Sequence, residues 1–289
     1  MTVRIVTASV LLIGTFAACK DSTSPAGTTG RMRIVNSVFQ GADVASAAPA
    51  SIDVLIDSST SGAGVAALAG ASLSAGSASG QGAGTHTGAG AIFTAAGYRD
   101  VPSEIHSFVA RVAGTSGPTA TFFEKSNGPY LPKQYILPFP YTFILAGVVP
   151  DTIPADSGAV EWAMIADDPF APPADTVNGG LTARVQVINA APMADTTGGG
   201  LGTNIDATFD DGASGVYSTT ASYRRSSGYI NPPAGNYTLT LASGSVVLFT
   251  GPVTLAKGEV RSFIVQSTAY AATPGPGNTK VTNLLDNQW

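Results

Sequence analysis

The chain holds a single cysteine, two histidines and two tryptophans, and only 11% of its residues are charged. One thiol excludes any disulfide within the chain, so stability must come from packing alone. Two separated histidines, His86 and His106, with no thiol to spare do not make a three- or four-ligand zinc site. The same scarcity limits nucleophilic catalysis, which needs a nucleophile, a base and an orienting group. His86 sits in the run Gly84-Thr85-His86-Thr87-Gly88, which does not hold a base in register, and no G-x-S-x-G elbow occurs. No Gly-Lys-Ser/Thr follows any glycine run, which excludes a phosphate loop. Glycoside hydrolysis requires two carboxylates in a cleft, and no pair is singled out. Basic residues are few: the formal charge of −5 and pI near 4.9 argue against nucleic acid as a partner and against electrostatic adsorption to anionic lipid. Beyond residue 18 no apolar run is long enough to span a bilayer. The nearest, Tyr135 to Pro150, is interrupted by Pro138 and Pro140 and reads as strand. The chain therefore reads as non-catalytic, without cofactor, an unidentified hydrolase being the weakest alternative.

What is present begins with a short basic stretch ending at Arg4 and the apolar run Ile5 to Ala18, of a length that suits an export signal rather than a membrane span. It closes in Thr15-Phe16-Ala17-Ala18-Cys19, small residues directly before a cysteine. That pattern matches a lipobox, with Phe16 where Leu is usual. The expectation is a lipoprotein signal peptide over residues 1–18, cleavage before Cys19 and lipidation of its sulfur. Two or more acyl chains then hold the protein firmly to the membrane. Residues 19–30, rich in Ser, Thr, Gly and Pro, read as a flexible tether. Lys20 follows the cysteine, which by analogy with two-membrane bacteria directs the chain to the outer membrane, periplasmic or surface-facing.

Sliding the chain against itself exposes an internal repeat. At an offset of 153, Arg31-Met32-Arg33-Ile34-Val35-Asn36 lies over Arg184-Val185-Gln186-Val187-Ile188-Asn189, and Ile52-Asp53-Val54-Leu55-Ile56-Asp57 over Ile205-Asp206-Ala207-Thr208-Phe209-Asp210. Further on, Tyr98-Arg99 answers Tyr223-Arg224, Thr121-Phe122-Phe123 answers Val247-Leu248-Phe249, and Phe143-Ile144-Leu145 answers Phe263-Ile264-Val265. Met164-Ile165-Ala166-Asp167 sits loosely opposite Leu284-Leu285-Asp286-Asn287. The expectation is two copies of one domain, residues 31–170 and 182–289, joined by a linker at 171–181 that overlaps the Pro/Asp/Gly-rich stretch Pro169 to Gly180. The first copy carries a Gly/Ala/Ser-rich insertion at 58–97, which has little to pack and reads as a surface loop.

Each copy reads as short strands punctuated by turns. In the second, strands are expected over Arg184–Asn189, Ile205–Phe209, Tyr237–Leu241, Ser245–Phe249, Val260–Val265 and Lys280–Leu285, with turns at Asp210-Asp211-Gly212 and Pro232 to Asn236. Short strands at this spacing signal a β-sandwich. Helix is nearly absent, its only competitor being Ala63–Ala71. The series "RVQVINAAP", "NIDATFDDG", a Tyr, "PPAGNYTLTLASG" and "VTLAKGEVRSFIV" resembles the domain of unknown function 4397 family, exported bacterial proteins with tandem copies behind a signal peptide. The second copy resembles it along nearly its whole length. The first diverges, with Val101-Pro102-Ser103-Glu104 at the Pro-Ala-Gly turn and Leu137-Pro138-Phe139-Pro140 where Ala-Gly is usual. The resemblance implies an all-β chain of two tandem immunoglobulin-like β-sandwich domains outside the cytoplasm, and it transfers no catalytic residue.

Two weaker chemistries remain. Asp206, Asp210 and Asp211 lie close together, as do Asp167, Asp168 and Asp175, and clustered oxygens suit calcium. Asp at turns is favoured for the turn alone, however, so no metal is expected. Tyr217, Tyr223, Tyr229 and Tyr237 could present a stacking surface for sugar rings, or serve as half-buried strand residues. The function read from the sequence is a lipid-anchored structural or adhesion-type module of the envelope, the alternative being a lipoprotein that binds carbohydrate or protein.

Overall fold

The computed structural model describes residues 29–41, 47–50, 52–56, 99–102, 105–106, 108–112, 134–135, 140–149, 161–166, 182–194, 202–213 and 215–286. Cys19, most of the tether, the insertion 58–97 with His86 and the helical competitor, the linker, and Asp167, Asp168 and Asp175 lie outside these residues.

Among the described residues the fold is all-β, its one helical turn being the 3-10 turn Pro276–Asn278. The first half contains β1 (Thr29–Gln40), β2 (Ala48–Pro49), β3 (Ile52–Ile56), β4 (Arg99–Pro102), β5 (Ile105–His106), β6 (Phe108–Val112), β7 (Gln134–Tyr135), β8 (Pro140–Val149) and β9 (Glu161–Ala166). The second contains β10 (Arg184–Asn189), β11 (Ile205–Asp210), β12 (Val216–Ala221), β13 (Arg225–Ile230), β14 (Gly235–Ser243), β15 (Val246–Leu255), β16 (Val260–Ser267) and β17 (Thr279–Leu285).

The second half is a sandwich. One sheet runs β13-β10-β16-β17 and the other β12-β11-β14-β15. Alternation along β11 and β14 sends Ile205, Ala207, Phe209, Leu239 and Leu241 inward, where they meet Val185, Val187, Phe263 and Val265 of the facing sheet. The rings of Phe209 and Phe263 pack tilted at 5.6 Å, a geometry that suits their quadrupoles.

The first half repeats the pairing. Its larger sheet runs β4-β1-β8-β9, with β2 on the far end of β1. β1 pairs in parallel with β8, Arg31 opposite Pro140; β10 pairs in parallel with β16, Arg184 opposite Val260. β3 pairs with β6, Ile56 opposite Phe108, and β11 pairs with β14, Phe209 opposite Leu239. Thr29 faces Pro102 in one half and Thr182 faces Pro233 in the other.

These registers revise several sequence expectations. Met32 lies opposite Arg99 and Val185 opposite Ile230, so Arg99 is the counterpart of Ile230 rather than of Arg224. Thr142 faces Ile165 while Ser262 faces Leu284, which moves that correspondence by one residue, pairing Ile165 with Leu284. β1 begins at Thr29, two residues inside the expected tether. Strands β12 and β13 were not foreseen: VYSTTA and RSSGYI carry too few apolar residues to announce a sheet, and it is pairing with β11 and β10 that makes them strands.

The halves do not hang apart on a linker. Arg33 to Phe39 of β1 and Tyr141 to Val148 of β8 are buried throughout, as are Val185 to Asn189 of β10 and most of β16. Strands covered on both faces are usual for parallel pairs. In the second half the inner cover is its own β12-β11-β14-β15 sheet and the outer cover is the first half. Val35, Ile144 and Ala146 join Ile188, Ala190 and Ile264 in one apolar cluster, and Phe39 and Val148 pack on Tyr270.

Candidate functional site

The outward face of the β12-β11-β14-β15 sheet is a polar surface. Its strands place Ser218 opposite Thr208, Thr208 opposite Thr240, and Thr240 opposite Thr250, a row of hydroxyls across all four strands. Beside it, Thr220 faces Asp206 and Thr238 faces Asp210. Thr220 Oγ1 donates to Asp206 Oδ1 at 2.6 Å, and Thr254 Oγ1 donates to Asn236 Oδ1 at 2.8 Å. Such a face can donate and accept hydrogen bonds along a partner.

The three calcium candidates do different work. Asp206 accepts from Thr220 on the sheet face, Asp210 Oδ1 accepts the Gly212 amide at 2.8 Å, and Asp211 Oδ1 accepts the amides of Ala213 at 2.8 Å and Gly215 at 3.0 Å. The last two are turn-forming Asx contacts. Among the described residues no group of three His, Cys, Asp or Glu is placed to hold a metal ion.

The four tyrosines form no common platform: Tyr217 and Tyr237 pack together, while Tyr223 and Tyr229 lie elsewhere. Tyr237 is buried, edge-on to Tyr217 at 6.1 Å, and its hydroxyl donates to the Pro233 carbonyl at 2.8 Å. Burial pushes its phenol above the ordinary value, with Tyr217 and Asp211 adding to the effect. The Tyr229 hydroxyl accepts from Gln186 Nε2 at 2.8 Å, and its ring lies under the Arg184 guanidinium at 4.5 Å. Tyr223 packs on the cluster between the halves. His106 forms part of β5, opposite Gln134.

The cluster that sequence reasoning missed is polar and buried between the halves. Arg33, 1% exposed, donates from Nε to Thr142 Oγ1 at 2.6 Å, from Nη1 to Asp286 Oδ1 at 2.6 Å and from Nη2 to Ser262 Oγ at 2.9 Å. Ser262 Oγ also accepts from Gln186 Nε2 at 2.9 Å and donates to Asp286 Oδ2, so hydroxyl and carboxylate are both engaged. Gln266 Nε2 donates to the Asn36 carbonyl at 3.0 Å and Ser37 Oγ at 3.1 Å, and Arg224 Nη2 donates to the Ala146 carbonyl at 3.1 Å. The sequence signal was faint: Arg33 and Gln186 are polar in otherwise apolar strands.

No family model matches the chain, and no curated protein matches it either. Similar solved structures include the Bacillus anthracis TIE protein, at 11% identity over 83% of this chain and 34% of that one, with a TM-score of 0.22. The chain thus spans about a third of that protein's length. Another is a candidate cell adhesion protein from Bacteroides eggerthii DSM 20697, at 10% identity over 90% of this chain and 96% of that one, with a TM-score of 0.18.

Proposed function

We propose that the chain is a lipid-anchored, non-catalytic structural or adhesion-type module of the bacterial cell envelope, built from two tandem immunoglobulin-like sandwiches of the kind the domain of unknown function 4397 family suggests. The observation that carries this reading is the docking of the halves. The polar side chains of the central strands, Arg33, Asn36, Ser37, Thr142, Gln186 and Ser262 among them, are at most 1% exposed and are spent on joining strands and halves. What the body offers to a partner is sheet face and edge, the equipment of an adhesive or scaffolding module. The duplication is supported by the matched registers and by the orders β4-β1-β8-β9 and β13-β10-β16-β17. The immunoglobulin-like assignment is supported by the Tyr237 hydroxyl bonded to a carbonyl four residues upstream, as in the tyrosine corner of such sandwiches.

The anchor is tested with Cys19→Ser. The variant should leave the membrane pellet for the soluble fraction, whereas retention in the washed pellet would show that this residue does not hold the chain. Cross-linking in intact cells with mass spectrometry then identifies the neighbours. A second reading, a carbohydrate- or protein-binding lipoprotein, is favoured by the hydroxyl row Ser218, Thr208, Thr240 and Thr250; binding on a glycan array that is lost on replacing Thr208 and Thr240 by Val would support it.

A further inference from the structure

We infer that the face joining the two halves is exchangeable between molecules, so that the first half of one chain docks on the second half of a second copy in a twofold, domain-swapped dimer. The inference rests on the duplication proposed above and not on the adhesion reading.

The apolar part of the contact is made by equivalent positions. The pairing registers make Val35 the counterpart of Ile188, Ile144 of Ile264 and Ile165 of Leu284. All six side chains belong to one cluster. A contact in which a surface meets its own counterpart is isologous in kind, the type that closes a twofold dimer. Nothing in it distinguishes the half carried on the same chain from the same half carried on another.

The polar part sets which halves pair. Arg33 and Gln186 are counterparts, and both reach the Ser262 hydroxyl, so they lie side by side near the local twofold. Two first halves meeting there would bring two Arg33 guanidinium groups together, and like-charge juxtaposition costs several kcal/mol. A first half against a second half brings Arg33 to Asp286 instead. Exchange between chains preserves this pair; self-pairing of first halves does not.

The contact also carries features that lower its net stability and so favour opening. A buried ion pair gives back in Coulomb attraction about what its desolvation costs. Gln266 Oε1 is buried with no hydrogen-bond partner among the described residues. Arg224 and Ala271, at φ 59° and 48°, are the two non-glycine residues described with left-handed backbone. Both lie at this contact, Arg224 donating to Ala146 and Ala271 packing beside Phe39 and Val148. Strain of that kind persists only while surrounding structure enforces it.

The test uses two full-length variants, Arg33→Asp and Asp286→Arg, unfolded in urea and refolded in non-ionic detergent separately and mixed. Alone, each places like charges at the contact, in the closed monomer and in its own dimer alike. In a mixed swapped dimer both contacts recover an opposite-charge pair, so the mixture should yield a one-to-one heterodimer by light scattering, about tenfold more abundant than dimer from either variant alone. A mixture that behaves as the sum of its components, aggregation included, overturns the proposal. Independently of how the variants fold, the unaltered chain refolded at high concentration should give a dimer that persists on dilution. Monomer at every concentration overturns it equally.

Discussion

Asn36 and Asn189 do the same job with the same atoms. Asn189 Nδ2 donates to the Thr203 carbonyl at 2.8 Å and its Oδ1 accepts the Ala191 amide at 3.1 Å; Asn36 Nδ2 donates to the Ala50 carbonyl at 3.0 Å and its Oδ1 accepts the Val38 amide at 2.9 Å. Each asparagine therefore ties off backbone groups beside a central strand, Asn189 at the end of β10 and Asn36 within β1, and Asn189 reaches the Ala221 carbonyl as well at 3.2 Å. Truncation leaves those buried groups unpaired, so Asn189→Ala should cost about 2–3 kcal/mol in chemical denaturation. A cost near zero would mean that water replaces the amide. Tyr237 gives a pH signature. Its folded pKa lies above the ordinary 10.0, so the unfolded chain loses that proton first. The contribution to stability is complete below about pH 10 and is lost as pH rises through the folded value. Denaturation midpoints measured from pH 8 to 11 should fall at the alkaline end, and Tyr237→Phe should flatten that fall at a cost of about 1 kcal/mol for the lost bond to Pro233. The identity of Asn36 with Asn189 was legible in the sequence. What the pair does was not, because its partners, Ala50 and Thr203, are reached only when the chain returns.

At the scale of elements, β10 and β16 depend on two different neighbours, the sheet facing them in the second half and the first half laid over them. Arg184–Asn189 and Val260–Val265 were legible as strands from their apolar residues, and β10 ended where the sequence placed it. Their polar members were harder to read. Gln186, Ser262 and Arg33 look like solvent-facing residues of a half-buried strand, and it is the second half's sheet laid over the first that buries them. Breaking the ion pair from one side strands a buried charge, so Asp286→Ala should lower stability by about 3–5 kcal/mol. The double replacement Arg33→Met with Asp286→Leu should recover most of it. Failure of the double variant to recover would assign the loss to Asp286's bond with Ser262 instead. The missed strands β12 and β13 fail for the opposite reason: with Ser and Thr at most outward positions, their apolar content is too thin for alternation to show.

For the whole molecule, the shared cluster and the Arg33–Asp286 contact couple the two halves. Opening one exposes the buried face of the other, so heating should give one cooperative transition, with calorimetric and van't Hoff enthalpies equal. Two resolved transitions in the unaltered chain would show the halves to be energetically separate. Composition and local pattern alone determined much here: strands rather than helices, the turn that follows β11 at Asp211-Gly212, the turn at Pro232 to Ala234, shorter than the expected Pro232 to Asn236 because β14 begins at Gly235, and the internal correspondence at an offset of 153. These are properties of neighbours in the chain, set by alternation and turn chemistry within a few residues. Only the tertiary structure decided that the candidate calcium carboxylates are taken up by turn amides and a threonine, that the tyrosines are dispersed, and that Arg33 meets Asp286 across the whole length of the chain. Contacts of that kind depend on which sheet covers which. A strand carries the period of its side chains in its sequence, but not the identity of the surface that will be laid against them.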